Sequence, residues 1–310
     1  MADSPMSASP YEVLGVPASA TEEELRRAYR RLLRETHPDT GGDPQRFIAV
    51  QAAWERIGTA DARAGYDRGR NPSGEPASWA PARPDADRGS GDRPAQTRPT
   101  ARTYGHPGGW RRERYLTLLK EWVGFGEPIP DPYDPVLVRR APREIRHLLA
   151  DALAEEATAR RLGTLGIGYT VWHDVAAGGP DDKIDHVVLG PTGLFAIQSE
   201  DFGGPVGVRR GELTGDVLAG ERPMHELAVR AKAVARAARV RFTGLLLVLP
   251  DEQLVEPAQA VGTSRGAEQV VLRASRLLSA LRDGLPDGRP VGGNEIFEVR
   301  TRLQAAIRFA

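Results

Sequence analysis

One stretch near the N-terminus combines a series of arginines with a polar tripeptide. Arg26, Arg30 and Arg31 lie close together in the sequence, and the tripeptide His37-Pro38-Asp39 follows them. A cationic surface of this kind suits an acidic partner and makes the association rate depend on salt. The alternative is that the arginines are only a solvated face and the tripeptide only a turn.

Two helices are needed to present these residues. A capping box at Thr21 and Glu24 starts the first helix, and this helix must end near Thr36 because the next residue precedes a proline. A second helix follows Asp43, which acts as its N-cap. The inward-facing side chains of both helices are apolar or aromatic: Leu25, Ala28, Tyr29, Leu32, Leu33, Phe47, Val50, Trp54 and Ile57. The sequence predicts a helical hairpin whose loop presents His37-Pro38-Asp39 to solvent.

This arrangement resembles the J-domain of the DnaJ family. The similarity runs from Tyr11 to Asp67 and is most specific where His37-Pro38-Asp39 lies between two amphipathic helices. It implies an all-α domain that docks on a DnaK-type heat-shock chaperone and stimulates ATP hydrolysis there through His37, Pro38 and Asp39. The docking residues that the resemblance assigns are Arg26, Tyr29, Arg30 and Arg31.

Length and composition narrow the remaining choices. A chain of 310 residues exceeds the size at which single cores stop growing, about 250–300 residues, so two or more domains are expected. The formal net charge is zero, so no global basic field points to nucleic acid or anionic lipid. Cysteine is absent, which excludes disulfides, thiolate nucleophiles and cysteine–zinc sites. No apolar segment approaches the roughly 20 residues that span a bilayer, and the N-terminus lacks a secretory pattern. We expect a cytoplasmic protein with no membrane partner.

Composition divides the chain into five parts. Residues 1–10 are expected to be a disordered lead, and residues 11–68 are expected to form the helical domain. Residues 69–109 are rich in Pro, Gly, Ser and charged residues, so they predict a disordered linker with an r.m.s. reach of roughly 35 Å. Residues 110–143 are expected to form a helical connector, and residues 144–310 an α/β domain.

The α/β prediction rests on the order of apolar patterns in the C-terminal part. A long amphipathic helix at residues 144–165 precedes three strand-like segments at 169–174, 183–189 and 193–199, and the last two form a hairpin. The other expected elements are an edge strand, a helix, two strands and a helix: residues 206–208, 224–241, 243–249, 269–272 and 275–282. This order is that of an α/β sandwich.

The tripeptide Ile184-Asp185-His186 and the hairpin turn from Gly190 to Gly193 follow a helix that bears Glu155 and Glu156. On these residues, the segment 144–250 resembles the nuclease-related domain (NERD), which has the PD-(D/E)xK nuclease fold. In this fold an Asp ends one strand, and an acid-x-Lys pair lies on one face of the next. The carboxylates hold a divalent cation, and the lysine assists the attacking water. The resemblance makes Asp185 the candidate ligand for Mg²⁺ or Mn²⁺, and it makes Glu156, or its neighbour Glu155, the acid of the preceding helix.

Two positions depart from the nuclease pattern. Gln198 stands where the family has its acid, and Glu200 stands where it has its lysine. A neutral amide is a weaker ligand for a hard cation than a carboxylate, and Glu200 reverses the charge of the assisting residue. Lys183, two residues from Asp185 on the same strand face, could take the place of that lysine. The site of Glu156, Asp185, Gln198 and Glu200 is therefore expected to be degenerate, and no enzymatic activity is predicted.

Several other residues have a structural alternative to a functional role. Asp185 could equally be a buried carboxylate that accepts backbone amides. His186 falls on the opposite strand face and reads as a core histidine, while His173, Asp174 and His225 lack the spacing of a metal site. A basic series on one helix could contact phosphates or could simply be solvated: Arg230, Lys232, Arg236, Arg239 and Arg241.

Three functional hypotheses compete. The first is a co-chaperone for a DnaK-type chaperone, without a required cofactor, in which the nuclease-like domain recruits a client or nucleoprotein. The second is an active, Mg²⁺- or Mn²⁺-dependent nuclease on DNA that recruits a chaperone. The third is a scaffold with a silent J-domain. The intact His37-Pro38-Asp39 disfavours the third hypothesis, and Gln198 with Glu200 disfavours the second, so the co-chaperone is the prediction.

Overall fold

The computed structural model describes residues 4–6, 8–37, 42–68, 100–124, 126–179 and 182–310, without the side chains of 44, 45, 48, 61, 65 and 68. Pro38 and Asp39, and most of the predicted linker, therefore lie outside the described residues. The chain divides into two compact units, one of residues 1–88 with 129–140 and one of residues 89–128 with 141–310. Each unit is described by itself.

The helices and strands follow one another along the chain in this order: α1 (Pro10–Leu14), α2 (Glu22–Glu35), α3 (Pro44–Ile57), α4 (Ala60–Arg68), β1 (Arg102–Tyr104), α5 (Gly109–Val123), α6 (Pro135–Arg140), α7 (Arg143–Leu162), β2 (Thr170–Ala176), β3 (Lys183–Gly190), β4 (Gly193–Ser199), β5 (Gly207–Arg209), β6 (Glu212–Thr214), α8 (Pro223–Ala238), β7 (Gly244–Leu249), β8 (Ala258–Ser264), β9 (Ala267–Arg273), α9 (Leu277–Asp283) and α10 (Gly293–Ala306).

The first unit is helical. Its first helix begins at Pro10 with Ser9 as the N-cap, so the disordered lead predicted for residues 1–10 is corrected at its end, while the boundaries of α2 and α3 follow the sequence signals. The predicted capping box at the start of α2 is present, with the Glu24 amide donating to Thr21 Oγ1 and the Thr21 amide donating to Glu24 Oε2. The helix ends at Glu35, with Thr36 as its C-cap, and α3 begins at Pro44. Apolar residues from α1, α2 and α3 form one core: Tyr11, Leu14, Leu25, Leu32, Val50, Ala53 and Ile57.

The second unit is built on a mixed sheet of seven strands in the order β1-β2-β3-β4-β7-β9-β8. The meander from β2 to β4 is antiparallel, as the hairpin signals predicted, whereas β7 adds parallel to β4 and β9 adds parallel to β7. Strand residues alternate between two cores. Val187 and Leu189 pack in the core that includes α8 and α10, and Val188 packs in the core that includes α9 and the end of α7. The predicted α/β sandwich is confirmed.

The sheet begins before the point where the sequence predicted the linker to end. Residues 102–104 form β1 and pair parallel with β2, so the linker boundary predicted at residue 109 is corrected: the residues described from 100 onward already belong to the second unit. Tyr104 stacks on Trp172 at a centroid distance of 6.1 Å, and a Cβ on Gly105 would lie 2.2 Å from the carbonyl oxygen of His173. Backbone pairing holds this segment with few apolar side chains, and composition alone does not reveal that.

The predicted connector at residues 110–143 is also corrected. Helix α5 packs on α7, and its Tyr115 and Leu119 are buried within the second unit. This helix is therefore a part of the α/β unit and not a spacer.

Three further differences concern strands and helices. The predicted edge strand at residues 206–208 corresponds to β5, which pairs with β6 in a separate two-stranded sheet. Strand β8 was not predicted because it contains few large apolar residues. Helix α10 was not predicted because its apolar face is weak, and only Val299 and Leu303 are buried. Among the described residues, no helix combines the length and apolar character needed to cross a bilayer.

Candidate functional site

The arginine-bearing helix of the first unit presents its cations outward. Arg26, Arg30 and Arg31 are exposed on α2. Arg26 forms a surface ion pair with Glu22, with 2.7 Å between Nη2 and Oε1. Tyr29 is half-buried and stacks on Trp54 with ring centroids 4.4 Å apart and an angle of 10°. The four residues that the sequence assigned to docking thus lie on one helix, three on its exposed surface and one at the edge of the core.

The described part of the loop is held against the second helix of the hairpin. The ring of His37 meets that of Phe47 edge-on, at a centroid distance of 5.1 Å. The His37 carbonyl accepts the Gly42 amide at 3.0 Å, which closes the loop at its base. His37 is therefore anchored at the start of the tripeptide, whereas Pro38 and Asp39 lie outside the described residues.

A second candidate site lies in the interior of the α/β unit, where five carboxylates surround two cations. The members of this charge cluster come from α5, α7, β2, β3 and the residue that follows β4: Arg111, Asp151, Glu155, Asp174, Lys183, Asp185 and Glu200. All are buried. Asp151 and Glu155 are four residues apart on α7, which places them on one face of the helix. Lys183 and Asp185 are two residues apart on β3, which places them on one face of the strand.

Lys183 forms one centre of the charge cluster. Its Nζ donates to Asp174 Oδ1 at 2.5 Å, to Glu155 Oε2 at 2.6 Å and to Asp185 Oδ1 at 3.0 Å. Burial on its own lowers the pKa of Lys183, but Asp185 and Glu155 outweigh burial and raise it above its usual value. Lys183 is therefore a fixed cation that uses all three of its donors.

Arg111 forms the other centre. Its Nη1 donates to Asp151 Oδ2 at 2.5 Å and its Nη2 to Glu200 Oε1 at 3.1 Å. The guanidinium also lies 3.5 Å from Glu155 and 3.6 Å from Asp185. One side chain from a helix outside the sequence resemblance thus contacts four of the five acids.

Asp185 has both carboxylate oxygens occupied by donors. Oδ1 accepts from Lys183 and, at 3.3 Å, from the Gln198 amide, and Oδ2 accepts the Ser199 backbone amide at 2.8 Å. Burial raises the pKa of Asp185, but Lys183 and Arg111 outweigh it and hold the pKa well below its usual range. Asp185 is therefore an ionised carboxylate whose lone pairs are largely engaged within the protein.

Gln198 points its amino group, and not its oxygen, at the charge cluster. Its Nε2 donates to Asp185 at 3.3 Å and to Glu200 Oε1 at 3.0 Å. With two carboxylate oxygens in reach, only the NH₂ orientation is favourable. A donor at this position occupies the side from which the family's acid would contribute a metal ligand.

The remaining acids carry excess negative charge. Burial, followed by Glu200, raises the pKa of Asp151 well above its usual value. Burial, followed by Asp185, does the same for Glu155. Glu200 differs, because Arg111 outweighs its burial and lowers its pKa. The raised pKa values of Asp151 and Glu155 favour their protonated forms, which would reduce the excess of negative charge around the two cations.

The structure selects one of the two helix acids considered from the sequence. Glu155 lies in the charge cluster, whereas Glu156 pairs with Arg112. Neighbouring positions on a helix point about 100° apart, so only one of the two can face the strands. The assignment of Glu156 to the site is therefore corrected to Glu155. Asp185, Gln198 and Glu200 are brought together as the resemblance implied.

Sequence reasoning missed Arg111, Asp151 and Asp174. Arg111 continues the buried stripe of α5 with Tyr115 and Leu119 at four-residue steps, and an arginine on such a stripe signals a buried acid. Asp174 was set aside for lack of metal spacing, but its neighbours pair with those of Asp185 across β2 and β3. The hairpin register could have placed these two acids opposite each other.

Two histidines beside the charge cluster form a buried pair. The Nδ1 atoms of His173 and His186 are 2.8 Å apart, with one ring edge-on to the other. Burial lowers the pKa of His173 to about 4, and burial, followed by the neighbouring His173, lowers the pKa of His186 well below its usual value. The lowered pKa values favour the neutral form of both rings at physiological pH, and His186 is buried as predicted.

A divalent cation at Asp185 does not fit these surroundings. The positive charge that such an ion would supply already comes from Arg111 and Lys183, and Gln198 offers a donor. His147, Asp151 and Glu200 form a group of described residues with one ligand atom each within 4.8 Å of one another. Arg111 donates to both Asp151 and Glu200. A cation bound by these carboxylates would therefore lie close to the positively charged guanidinium.

Comparisons with known proteins agree with this division of the chain. Residues 9–67 match the family described as the DnaJ domain, and residues 150–247 match the family described as the nuclease-related domain. Over 63 residues the chain is 48% identical to the chaperone protein DnaJ of Thermotoga neapolitana, covering 19% of this chain and 17% of that protein. It is 49% identical over 61 residues to the chaperone protein DnaJ of Thermosynechococcus vestitus, covering 19% of this chain and 16% of that protein.

A plant protein shows the same partial similarity. The chaperone protein dnaJ 3 of Arabidopsis thaliana is 43% identical over 58 residues, which cover 19% of this chain and 14% of that protein. The chain thus spans less than a fifth of the length of these curated relatives. It carries a DnaJ domain at residues 9–67 and a nuclease-related domain at residues 150–247.

Proposed function

We propose that this protein is a co-chaperone of a DnaK-type heat-shock chaperone, acting in the cytoplasm. The observation that carries the proposal is the 48% identity to a DnaJ chaperone over 63 residues, in a segment that folds as the expected helical hairpin. The exposed arginines of α2 supply a cationic face for an acidic partner. In this proposal Arg26, Tyr29, Arg30 and Arg31 dock on the chaperone, and His37, Pro38 and Asp39 stimulate its ATP hydrolysis.

The nuclease-related domain is proposed to recruit a client or nucleoprotein, and not to cut nucleic acid. Cleavage by this fold needs carboxylates free to hold a cation. In the charge cluster the carboxylates instead accept from Arg111, Lys183 and Gln198. These contacts support a domain that keeps the nuclease fold while protein cations take the place of the metal, so Mg²⁺ or Mn²⁺ is not required.

The proposal is tested by measuring ATP turnover of a DnaK-type chaperone with the full-length protein and with His37→Gln. A matched control is His225→Gln, which changes an exposed histidine of the other unit. We expect the wild type and the control to stimulate turnover equally and His37→Gln to have lost the stimulation. Equal turnover with His37→Gln and wild type would show that the hairpin does not act in this way.

Plasmid nicking with Mn²⁺ in the same samples addresses the second hypothesis. We expect the plasmid to stay intact. If DNA is cut and Asp185→Ala abolishes cutting, the protein is a metal-dependent nuclease that carries a J-domain, and the role proposed for Arg111 and Lys183 is wrong.

A further inference from the structure

A cation-rimmed groove lies on the second unit, and none of the charge-cluster residues lines it. The groove has a volume of about 360 Å³ and runs between α8, the start of β7 and the turn that joins β8 to β9. Its floor is made of small and apolar side chains, three of them from one face of α8: Ala228, Ala231, Ala235, Val240, Phe242, Leu245 and Ala267. We call it the α8 groove.

Four cations stand around this floor, namely Lys232 and Arg236 on α8, Arg241 after it, and Arg265 in the turn between β8 and β9. Among the described residues that line the groove, none is acidic. The sequence raised phosphate contacts for three of these residues, and the structure brings them to one cavity together with Arg265.

Among the residues that the structure describes, the rim cations have no acidic partner, whereas two other basic residues of the same unit do. Arg230, on the same helix, lies 3.5 Å from Asp182 and 3.4 Å from Glu226, and Arg302 lies 3.1 Å from Glu298. Within the described part of the chain, no carboxylate forms an ion pair with Lys232, Arg236, Arg241 or Arg265. Like charges that converge without a counter-ion favour an anionic ligand.

The shape and chemistry of the groove define the ligand class. Several cations at one rim suit a group with more than one negative charge, and guanidinium groups match phosphate oxygens in geometry. An apolar floor needs an apolar body on the ligand, and a volume of about 360 Å³ lies at the lower end of the roughly 300–1,000 Å³ of small-molecule sites. A phosphate attached to a base and sugar meets all three conditions.

We propose that the α8 groove is a binding site for a nucleotide phosphate, either as a free nucleotide or as the phosphorylated end of a nucleic-acid strand. The phosphates contact the rim arginines, and the apolar part of the ligand lies over the alanines of α8. This site goes beyond the co-chaperone function and does not depend on it.

The turn between β8 and β9 offers a variant that separates binding from folding. Arg265 has a φ of +52° and Gly266 a φ of +83°, a left-handed conformation that Asn adopts more readily than Arg. Arg265→Asn therefore removes a rim cation while suiting the backbone. The turn between β5 and β6 provides the matched control, because Arg210 and Gly211 have φ values of +53° and +79° and Arg210 does not line the groove.

The experiment measures fluorescence anisotropy of a labelled nucleoside triphosphate and of a short 5′-phosphorylated single-stranded oligonucleotide with the full-length protein. We expect Arg265→Asn combined with Arg236→Gln to weaken binding by about tenfold or more, as expected when charge-assisted bonds are lost. Arg210→Asn should bind like the wild type. Ala235→Leu fills the floor without changing charge and should also weaken binding, and inorganic phosphate should compete.

The two probes distinguish the sources of the ligand. Binding of the free nucleotide identifies a small-molecule site, and binding of the oligonucleotide alone identifies a site for a strand end. Either result supports the proposal if the variants of the α8 groove no longer bind the probe. The proposal is wrong if neither probe binds, or if the double variant and Arg210→Asn bind equally well. Neither readout depends on a chaperone, so failure here is distinguishable from failure of the co-chaperone function.

Discussion

The guanidinium of Arg111 lies 3.6 Å from the carboxylate of Asp185 in the interior of the α/β unit. Arg111 comes from α5, before the segment that matches the nuclease-related family, and Asp185 is the residue for which that resemblance implies a metal. With Lys183 on the other side of Asp185, two protein cations surround the position. The fold thus uses its own side chains to balance carboxylates that a nuclease balances with a divalent ion.

The first prediction concerns the stability of the charge cluster. Arg111→Ala leaves Asp151 and Glu200 without their strongest donor, and removing one partner of a buried ion pair costs about 3–5 kcal/mol. We expect a loss of that order in the free energy of unfolding, measured by urea denaturation at neutral pH. The matched control is Arg114→Ala on the exposed side of α5, which should change stability little. A similarly small loss for Arg111→Ala would contradict the structural role of this side chain.

The second prediction concerns divalent ions. Removing Arg111 frees oxygens of Asp151 and Glu200 beside His147, the group whose ligand atoms lie within 4.8 Å of one another. We expect Mn²⁺ to raise the melting temperature of Arg111→Ala, since saturation at about 100 times Kd stabilises by roughly 2.7 kcal/mol. The wild type should show no comparable shift, and adding Glu200→Gln to the variant should abolish it. A wild-type shift as large as that of the variant would show that Arg111 does not compete with metal.

The third prediction concerns pH. Burial, and then Asp185, raise the pKa of Glu155 above its usual value, so the folded protein retains a proton that the unfolded chain releases above about pH 4.3. The stability linked to this proton is complete below the unfolded pKa and is lost as the pH rises through the folded pKa. Glu155→Gln removes this dependence.

The measurement is the unfolding free energy as a function of pH, by urea denaturation. Above about pH 4.5, we expect stability to fall less steeply for Glu155→Gln than for the wild type, by up to about 1.4 kcal/mol per pH unit. Glu113→Gln, at an exposed position of α5, should keep the wild-type slope. Parallel curves for all three proteins would mean that Glu155 is ionised in the folded state.

The parts of the structure that sequence predicted well are those with local causes. A capping box at Thr21 and Glu24 and the steric effect of Pro38 define α2 without reference to the rest of the chain. The hairpin from β3 to β4 follows from alternation and a glycine-bounded turn. Because Asp185, Gln198 and Glu200 lie within that hairpin or directly after it, their proximity was also predictable.

The parts that sequence missed depend on distant packing. Arg111 and Asp151 are separated by 40 positions and meet only because α5 packs on α7. Choosing Glu155 over Glu156 required the phase of α7, and an alanine-rich helix leaves that phase ambiguous, because its buried face includes Ala150 and Ala152. The sequence of strand β1 has no apolar pattern, and the strand forms because its backbone pairs with that of β2.

The last prediction concerns the cationic face of α2. Arg30 is exposed and belongs to the surface proposed to dock on a DnaK-type chaperone, where rim charges act mainly on the association rate and its salt dependence. We expect Arg30→Glu to lower the stimulation of chaperone ATP turnover by about three- to tenfold at low salt. The difference from the wild type should shrink as salt is added, because exposed charges are screened over about 10 Å at 0.1 M. The control is Arg114→Glu, which makes the same charge change on α5 and should stimulate ATP turnover like the wild type. Equal losses for both variants would show that the net charge of the protein, and not the α2 face, controls the association.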